Sequence, residues 1–280
     1  MASKVKNVLI VLAHEEKNSF NSALKNIAVE TLQKKGWKIT ISDLYAMKFN
    51  PIASRNDITG SPKNPEHFSY ADETCSAWKD GYLSEDIVKE QNKLLAADLV
   101  IFQFPIFWFG MPAIMKGWID RVFTRGFAYT FQTMYDNGPF QKKRAVISVT
   151  TGGIQSMYSS KGLNGDINVI LWPIQHGMLH FTGFQVLSPQ ISYCPGHASP
   201  LIRGQMLEEW KSRLEMIWEE KPVQFVPDSM FDMSFEGGFV LKKEVEDANA
   251  ESPYGLSVGQ HMGKAIPLSE QQKSKKKTVN

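Results

Sequence analysis

The chain has 280 residues, and its hydrophobic content of 42% is enough to form a large core and too high for a globally disordered protein. Its 31 lysines and arginines nearly balance 29 aspartates and glutamates, so composition gives no sign of nucleic-acid binding. Two cysteines argue against a disulfide framework and suit a reducing compartment. No apolar run resembles a signal peptide or has the ~20 residues that span a bilayer, so we expect a cytoplasmic protein.

Strands and helices alternate in the first part of the chain. The continuous apolar run 5–13 predicts a strand buried on both faces, and an amphipathic helix is expected over 22–35, ending at Gly36. A second strand is expected over 38–42. The segment 43–83 is rich in proline, glycine, asparagine and aspartate. It predicts a loop with short helical turns, of a length that is usually functional.

The same alternation continues further along the chain. Ser84 is the predicted N-cap of a helix that runs to Leu95. Beyond it we predict strands over 98–104, 145–149 and 181–187, and helices over 113–123, about 166–177 and 202–219. Five strands that alternate with helices predict an α/β fold with a doubly wound, mostly parallel sheet covered on both faces.

The pattern changes after residue 221. Residues 222–280 contain several aromatic side chains but little periodicity, and they end in the basic sequence KSKKKTVN. We therefore divide the chain into a main domain, 1–221, and a small C-terminal extension, 222–280, whose basic tail is solvated. The alternative is a tail that holds RNA or a protein partner, but its four lysines between 273 and 277 are too few to indicate this function.

Three unusual loops follow predicted strands one, three and four: HEEKNSFN, PIFWFGMP and TTGG. Ligands of parallel α/β sheets bind outside the carboxyl ends of the strands, so these loops are expected to converge on a ligand. In the first loop, Asn18, Ser19 and Asn21 lie just before a helix, where short polar side chains and free backbone N–H groups suit a phosphate. The same residues could also serve as plain helix caps.

The second and third loops suit a flat ligand. The aromatic residues 107–109 lie in a turn between two prolines, where they either pack in the core or stack on a planar ring system. Residues 150–153 allow close approach of the backbone and supply N–H donors. Neither a dinucleotide-binding nor a P-loop glycine fingerprint is present. Together the three loops predict a flavin, with its phosphate at the first helix and its rings between the second and third loops.

The sequence also resembles a known enzyme family. The resemblance rests on VLIVLAH, SFN, SDLYAM, FNP, DITG, ADLVIFQFP, WFG, PAI, KGW, TTGG, MY, GD, LWPIQ, LHF, GFQVL and GLSVG, in this order over roughly residues 6–267. By these motifs the chain resembles the NAD(P)H:quinone oxidoreductases, also called DT-diaphorases. The resemblance implies a flavodoxin-like fold with a five-stranded parallel sheet, and a cytosolic homodimer that binds FAD. It also implies ping-pong hydride transfer from NADH or NADPH to quinones, a detoxification reaction.

The resemblance further implies the residues of the site. The expected FAD contacts are His14, Phe20, Asn21, Ile106, Phe107, Trp108, Phe109, Thr150, Thr151, Gly152, Gly153, Tyr158, Arg203 and Leu207. The expected substrate contacts, some of them from the partner chain, are Ala128, Tyr129, Thr130, Phe131, Phe181, His197, Phe235 and Phe239. The catalytic residues are expected to be Tyr158, which hydrogen-bonds the charge on the reduced flavin, the backbone of Gly152 and Gly153, and Asn164.

This chain departs from the family pattern at three positions. Asn164 stands where a catalytic histidine is usual, Phe131 replaces a pocket tyrosine, and Ser69 replaces a glutamine near the adenosine end. Asn164 is shared with a shorter sister enzyme that uses dihydronicotinamide ribosides. That activity is therefore one alternative. A flavodoxin-like electron carrier is another, although such carriers are usually shorter and acidic and lack an aromatic C-terminal extension.

The sister enzyme also binds zinc, and the chain shares part of its site. His176 and His180 have the i, i+4 spacing that can place two zinc ligands on one helix face. However, the position of the sister's third ligand, a cysteine, is occupied here by Phe225. Without a third ligand a tetrahedral site cannot close, so we expect no metal.

Overall fold

The central feature of the computed structural model, which describes residues 5–159 and 161–250, is a parallel sheet. Its strands are β1 (Asn7–Leu12), β2 (Lys38–Asp43), β3 (Leu99–Pro105), β4 (Arg144–Thr151), β5 (Gln185–Val186) and β6 (Gln190–Tyr193). The strand order is β2-β1-β3-β4-β5, and β6 also pairs with β4. All the strand pairs are parallel, which confirms the predicted α/β fold and adds a sixth strand.

Seven α-helices connect or flank the strands within the described part of the chain. They are α1 (Phe20–Lys34), α2 (Tyr70–Asp80), α3 (Glu85–Ala96), α4 (Ala113–Val122), α5 (Ile167–Ile174), α6 (Pro200–Met216) and α7 (Lys243–Ala248). A π-helix, Gln175–His180, continues directly from α5. No helix in this part of the chain is long and apolar enough to cross a membrane.

The sheet separates two hydrophobic cores. On one face, Ile10 and Ile101 pack with Leu24 of α1 and Trp210 of α6. On the other face, neighbouring strand residues pack with α4, and the buried Trp118 ring makes edge contacts with Phe102 and Phe123. Because successive strand residues point to opposite cores, β1 and β3 are apolar without interruption over most of their length.

The segment 43–83 differs from the sequence expectation of a loop with short helical turns. It contains the regular helix α2, which ends at Gly81 in the left-handed conformation with φ +78°. Acidic residues in the first turn and Lys79 in the last turn support α2 through the helix dipole. These signals were present in the sequence, but they lie among so many turn-forming residues that composition alone obscured the helix.

A buried arginine anchors this segment to the rest of the fold. Arg121 of α4 forms a bidentate pair with Asp57, with nitrogen–oxygen distances of 2.9 and 3.1 Å, and its third nitrogen lies 2.6 Å from Asp86. The Tyr70 hydroxyl donates a 2.6 Å hydrogen bond to Asp57. Burial alone would raise the pKa of Asp86, but hydrogen bonds from Arg121 and Ser84 lower it. This one guanidinium therefore joins α4 to α3 directly and to α2 through Asp57.

The second half of the sheet also differs in detail from the prediction. The expected strand 181–187 pairs only at Gln185–Val186, because Gly183 turns the chain with φ +93° just before it. The register to β4 then shifts by one residue before β6 begins, and Pro189 in the gap has no N–H to donate. The edge of the sheet is therefore an interrupted strand that ends beside Thr151.

Two predicted element boundaries need correction near the site. The helix expected over about 166–177 ends as an α-helix at Ile174 and continues as the π-helix, since Pro173 cannot donate to the preceding turn. Strand β4 extends to Thr151, so the TTGG motif begins inside the strand rather than after it.

The buried ion pair gives a stability prediction. Asp57→Asn removes the bidentate charged partner of the buried Arg121 and leaves it only the partly exposed Asp86, so we expect the free energy of unfolding to fall by about 3 kcal/mol in urea denaturation. The matched control is Asp120→Asn. Asp120 directly precedes Arg121 on α4, and its half-exposed carboxylate pairs with Lys116. This substitution should cost at most about 1 kcal/mol. Equal losses in the two variants would contradict a special role for the Arg121 cluster.

Candidate functional site

The three loops singled out in the sequence meet at the carboxyl ends of β1, β3 and β4. The Ala13 N–H donates to the Gln103 carbonyl at 3.0 Å, and the Ile106 N–H donates to the Thr150 carbonyl at 2.8 Å. The strand order reverses between β1 and β3, which is where ligands bind in doubly wound sheets. The predicted convergence of the loops is therefore confirmed.

A chain of buried side-chain amides and hydroxyls lies directly beneath this site. Gln103 Nε2 donates to Asn21 Oδ1 at 2.9 Å, and Asn21 Nδ2 donates to Thr150 Oγ1 at 3.0 Å. All three residues are buried. The side chain of Asn21, expected as a ligand contact, is therefore engaged in fixing α1 against β3 and β4. Its backbone N–H remains available to a ligand.

The N-terminus of α1 forms one side of the site. Ser19 caps the helix by accepting a 3.2 Å hydrogen bond from the Ser22 N–H, and His14 Nδ1 accepts one from the Glu16 N–H at 3.0 Å. The first turn of α1 contains no acidic residue, and the N–H groups of Phe20 and Asn21 donate to no other described residue. This end of the helix has the free donors and the dipole that favour an anion.

The aromatic turn, residues 107–109, forms a second side. Phe107 and Gly110 exchange two backbone hydrogen bonds of 3.0 Å, which hold the turn closed. Trp108 and Phe109 both have positive φ, +49° and +60°, a conformation that costs free energy in residues with a Cβ. The Trp108 side chain is 99% exposed, and its two neighbours are about half exposed. The reading of these rings as core residues is therefore wrong.

The loop after β4 forms the third side. A Cβ on Gly152 would meet nothing within 4 Å, whereas one on Gly153 would lie 3.1 Å from the Tyr158 ring. Tyr158 is buried beside Tyr193, and its hydroxyl makes no hydrogen bond to another described residue. Asn164 is half-buried, and its N–H donates to the Met157 carbonyl at 2.8 Å. The loop thus folds back onto itself beneath Gly153.

The edge of the site is closed by the segment after β6. The Cys194 N–H donates to the Thr151 carbonyl at 3.0 Å, and Ser199 caps α6. Arg203 donates to the Ala198 carbonyl at 2.9 Å, Leu207 is half-buried, and His197 is exposed. Arg203 and Leu207 therefore lie on the helix that follows the last strand of the site.

A separate cavity of about 400 Å³ is enclosed largely by aromatic side chains. The rings that line it are Phe131, Tyr135, Trp172, Phe181, Phe231 and Phe239. Met134, Val226 and Met233 add apolar surface, and His176 and Asp228 are its charged or titratable members besides Tyr135. Residues 226–239 of the C-terminal extension thus form one wall, and the π-helix with the end of α5 contributes to another.

The cavity unites some of the residues expected to bind substrate and leaves others out. Phe131, Phe181 and Phe239 line it, and Phe235 stacks on Phe131 at 5.2 Å although its own side chain is 81% exposed. The Tyr129 ring contacts Phe181 at 5.4 Å. Tyr129 and Phe235 do not line the cavity themselves, and three further expected residues do not line it either.

Those three residues have other environments. Thr130 closes a turn with Thr133, Ala128 is fully buried in the core, and His197 lies after β6. The sequence reasoning also missed cavity residues, notably Trp172 and Asp228. Trp172 could have been found from the sequence, because it lies four residues before His176 and therefore on the same helix face. Nothing in the sequence pattern marked Asp228, because it lies in a stretch without periodicity.

The two histidines of the π-helix are enclosed by aromatic rings. His176 stacks on Trp172 at 4.3 Å, and His180 stacks on Phe225 at 4.4 Å. Burial, together with the neighbouring His180, lowers the pKa of His176 to about 4. Burial also lowers the pKa of His180, whose Nε2 lies 3.8 Å from Asp136. Among the described residues no group of three or more histidine, cysteine, aspartate or glutamate side chains is placed to hold a metal ion.

Comparisons with known proteins agree on one family. A family model described as having a flavodoxin-like fold matches residues 6–214. NAD(P)H dehydrogenase (quinone) 1 of Cavia porcellus is 60% identical over 272 residues, which cover 97% of this chain and 99% of the relative. Ribosyldihydronicotinamide dehydrogenase (quinone) of Mus musculus is 53% identical over 226 residues, 81% of this chain and 98% of the relative.

Solved structures share the architecture. A crystal structure from Klebsiella pneumoniae has a TM-score of 0.81 and 40% identity, and the match covers 85% of this chain and 95% of that one. The NAD(P)H:quinone oxidoreductase from Methanothermobacter marburgensis has a TM-score of 0.60, covering 76% of this chain and 100% of that one. At 23% identity this second likeness shows the fold alone.

The lowered pKa of the half-buried His176 gives a prediction for the pH dependence of stability. The unfolded chain binds the His176 proton with an ordinary pKa of ~6.5, whereas the folded protein binds it only near 4. The unfolded state therefore binds more protons in this window, and acid favours unfolding. We expect the free energy of unfolding to fall from about pH 6.5 to pH 4, and His176→Gln to make this fall shallower.

Urea denaturation at a series of pH values measures this slope. His67→Gln, which changes an exposed histidine, is the matched control and should keep the wild-type slope. An unchanged slope in His176→Gln would show that this side chain is not the group responsible.

Proposed function

The chain belongs to the flavodoxin-like family of NAD(P)H dehydrogenases (quinone), and we propose that it reduces quinones to hydroquinones with FAD as its flavin and NADH or NADPH as donor. Relatives with that name match it over nearly the whole length of both chains. The second candidate, a ribosyldihydronicotinamide-type reductase, is favoured by the shared histidine pair and Asn164. The match to those relatives covers 81% of this chain or less, against 97% for the first group.

The observation that carries the proposal is the aromatic turn. The positive φ angles of Trp108 and Phe109 cost free energy, and the exposed ring of Trp108 is unfavourable in water. A flat apolar ring system placed against the turn would remove that surface from water. The turn lies beside the loop after β4, where the space at Gly152 is open and where ligands of this fold bind.

The residues present fit a flavin at each of its parts. The unpaired N–H groups at the start of α1 suit its phosphate, and residues 106–109 with residues 150–153 suit its rings. Arg203 and Leu207 on α6 are proposed to contact the remainder of FAD, together with His14. The hydroxyl of Tyr158, which has no partner among the described residues, is proposed to hydrogen-bond the ring system.

A bound flavin supplies two-electron chemistry, accepting a hydride from NAD(P)H and delivering it to a quinone in a ping-pong sequence. The protein positions the two substrates in turn and excludes water. We propose that Tyr158 and the N–H groups of Gly152 and Gly153 stabilise negative charge that develops beside them. Asn164 can donate and accept hydrogen bonds but cannot take up a proton near neutral pH as a histidine would.

The aromatic cavity is the proposed substrate site, and its wall of residues 226–239 comes from the C-terminal extension. We further propose a homodimer in which some of these residues serve the partner's flavin. Large exposed apolar side chains support this proposal, among them Trp108, Leu163 and Phe235. A second copy of the chain would remove such surface from water.

A spectrum of the purified protein tests the function. We expect visible flavin absorbance that bleaches when NADPH is added and returns when menadione is added, with FAD released by acid. A chain that binds no flavin, or whose flavin NADPH does not bleach, would contradict the proposal. Efficient bleaching by dihydronicotinamide riboside but not by NADPH would instead establish the second candidate.

The roles of Tyr158 and Asn164 can be separated by stopped-flow reduction with NADPH. Loss of one hydrogen-bond donor to developing charge can cost ~10²-fold, so Tyr158→Phe should clearly slow flavin reduction. Asn164→Ala should cost less than about tenfold, since Asn164 can move no proton. Asn164→His should keep or raise the rate and add a pH dependence near about 6–7. A larger loss in Asn164→Ala than in Tyr158→Phe would reverse the two roles.

A further inference from the structure

The cavity has an acidic group at one place in an otherwise apolar wall. Asp228 lines the cavity, and its Oδ2 is buried without a hydrogen-bond partner among the described residues. The Asn137 side chain hydrogen-bonds this carboxylate, and the Asp228 N–H donates to Asp136 Oδ2 at 2.8 Å. The backbone contact fixes the position of Asp228, while part of its charge is left unsatisfied.

No positive charge among the described residues balances this carboxylate. No lysine or arginine lines the cavity, and none forms an ion pair with Asp228 within the described ranges. His176, the lining residue that could become cationic, is neutral near pH 7 because burial lowers its pKa to about 4. Burial and the neighbouring Asp136 raise the pKa of Asp228. An uncompensated carboxylate in such surroundings is costly unless a ligand supplies the opposite charge.

The rest of the wall suits a cation with an apolar body. Six aromatic rings line the cavity, and two of them, Trp172 and Tyr135, contact His176 at 4.3 and 5.2 Å between ring centroids. Aromatic faces attract ammonium groups, most strongly where water is excluded. A volume of about 400 Å³ is in the range of sites for small organic molecules.

We propose that this cavity selects aromatic ligands that carry an ammonium group, with the cation beside Asp228 and the aromatic body between the surrounding rings. The inference rests on the proposed function where it names the substrate: among quinones, those with a cationic side chain are preferred. Within one substrate, the carboxylate and the rings recognise the cation, and the apolar wall recognises the ring system.

Binding of a matched pair of naphthoquinones tests this proposal without turnover. One carries a 2-(trimethylammonio)ethyl side chain and the other the uncharged 3,3-dimethylbutyl side chain of the same shape. Equilibrium dialysis of the flavin-loaded protein without NADPH should give a Kd at least about tenfold lower for the cation, as a desolvated cation–π contact beside a carboxylate implies. Equal Kd values for the pair would overturn the proposal.

Variants assign the preference to Asp228. Asp228→Asn keeps the shape and the backbone contact to Asp136, so it should abolish the preference while changing the Kd of the neutral quinone less than about twofold. Glu244→Gln, which removes one exposed negative charge from α7, should leave both Kd values unchanged. A preference that survives Asp228→Asn, or equal weakening of both ligands, would show that the carboxylate does not recognise the cation.

Turnover separates this inference from the proposed function. The kcat/KM ratio of the two quinones should follow the Kd ratio in the wild type and approach one in Asp228→Asn. If both quinones bind with the expected preference but neither is reduced with NADPH, the proposed function fails and the cation site stands. If both are reduced at equal kcat/KM and bind equally, the proposed function stands and the cation site fails.

Discussion

The buried hydrogen-bond chain from Gln103 through Asn21 to Thr150 is the interaction on which the ligand site depends. In a parallel sheet the loops on either side of the switch point lead away from each other, which opens a crevice but gives it no fixed floor. Here one asparagine joins the first turn of α1 to both neighbouring strands. Both polar atoms of the Asn21 side chain have a partner, whereas Gln103 Oε1 is buried without one among the described residues. The helix N-terminus is therefore held against the strand ends mainly by the Asn21 amide.

Several residues with unfavourable backbone geometry lie around this hydrogen-bond chain and the cavity, where they would contact a ligand. The aromatic turn has two consecutive non-glycine residues with positive φ. Cys194, which directly follows β6, also has a left-handed backbone conformation. The π-helix adds a wide turn that places His176 and His180 among aromatic rings. Such features persist where the surrounding structure determines them, and the regular core of β1, β3 and β4 provides that support.

The C-terminal extension is joined to the sheet by a few contacts of different kinds. Val223 donates a backbone hydrogen bond to Val186 at 2.8 Å, Phe225 stacks on His180, and Asp228 is held through its N–H by Asp136. Phe225 thus packs directly on the ring of His180. The same attachment brings residues 226–239 over the cavity, so this wall of the proposed substrate site also depends on the histidines of the π-helix.

The sequence by itself determined the α/β alternation, the three ligand loops and their meeting at one end of the sheet, because strand burial and strand direction follow from apolar runs and their spacing. It also carried the family resemblance, which the comparisons confirm. The composition of the segment 43–83 obscured α2, and the sequence pattern did not show the register shift of the edge strand against β4 or the continuation of α5 as a π-helix. The exposure of Trp108, the engagement of the Asn21 side chain and the cavity around Asp228 were decided only by the tertiary structure, since each depends on which residues of remote segments come together.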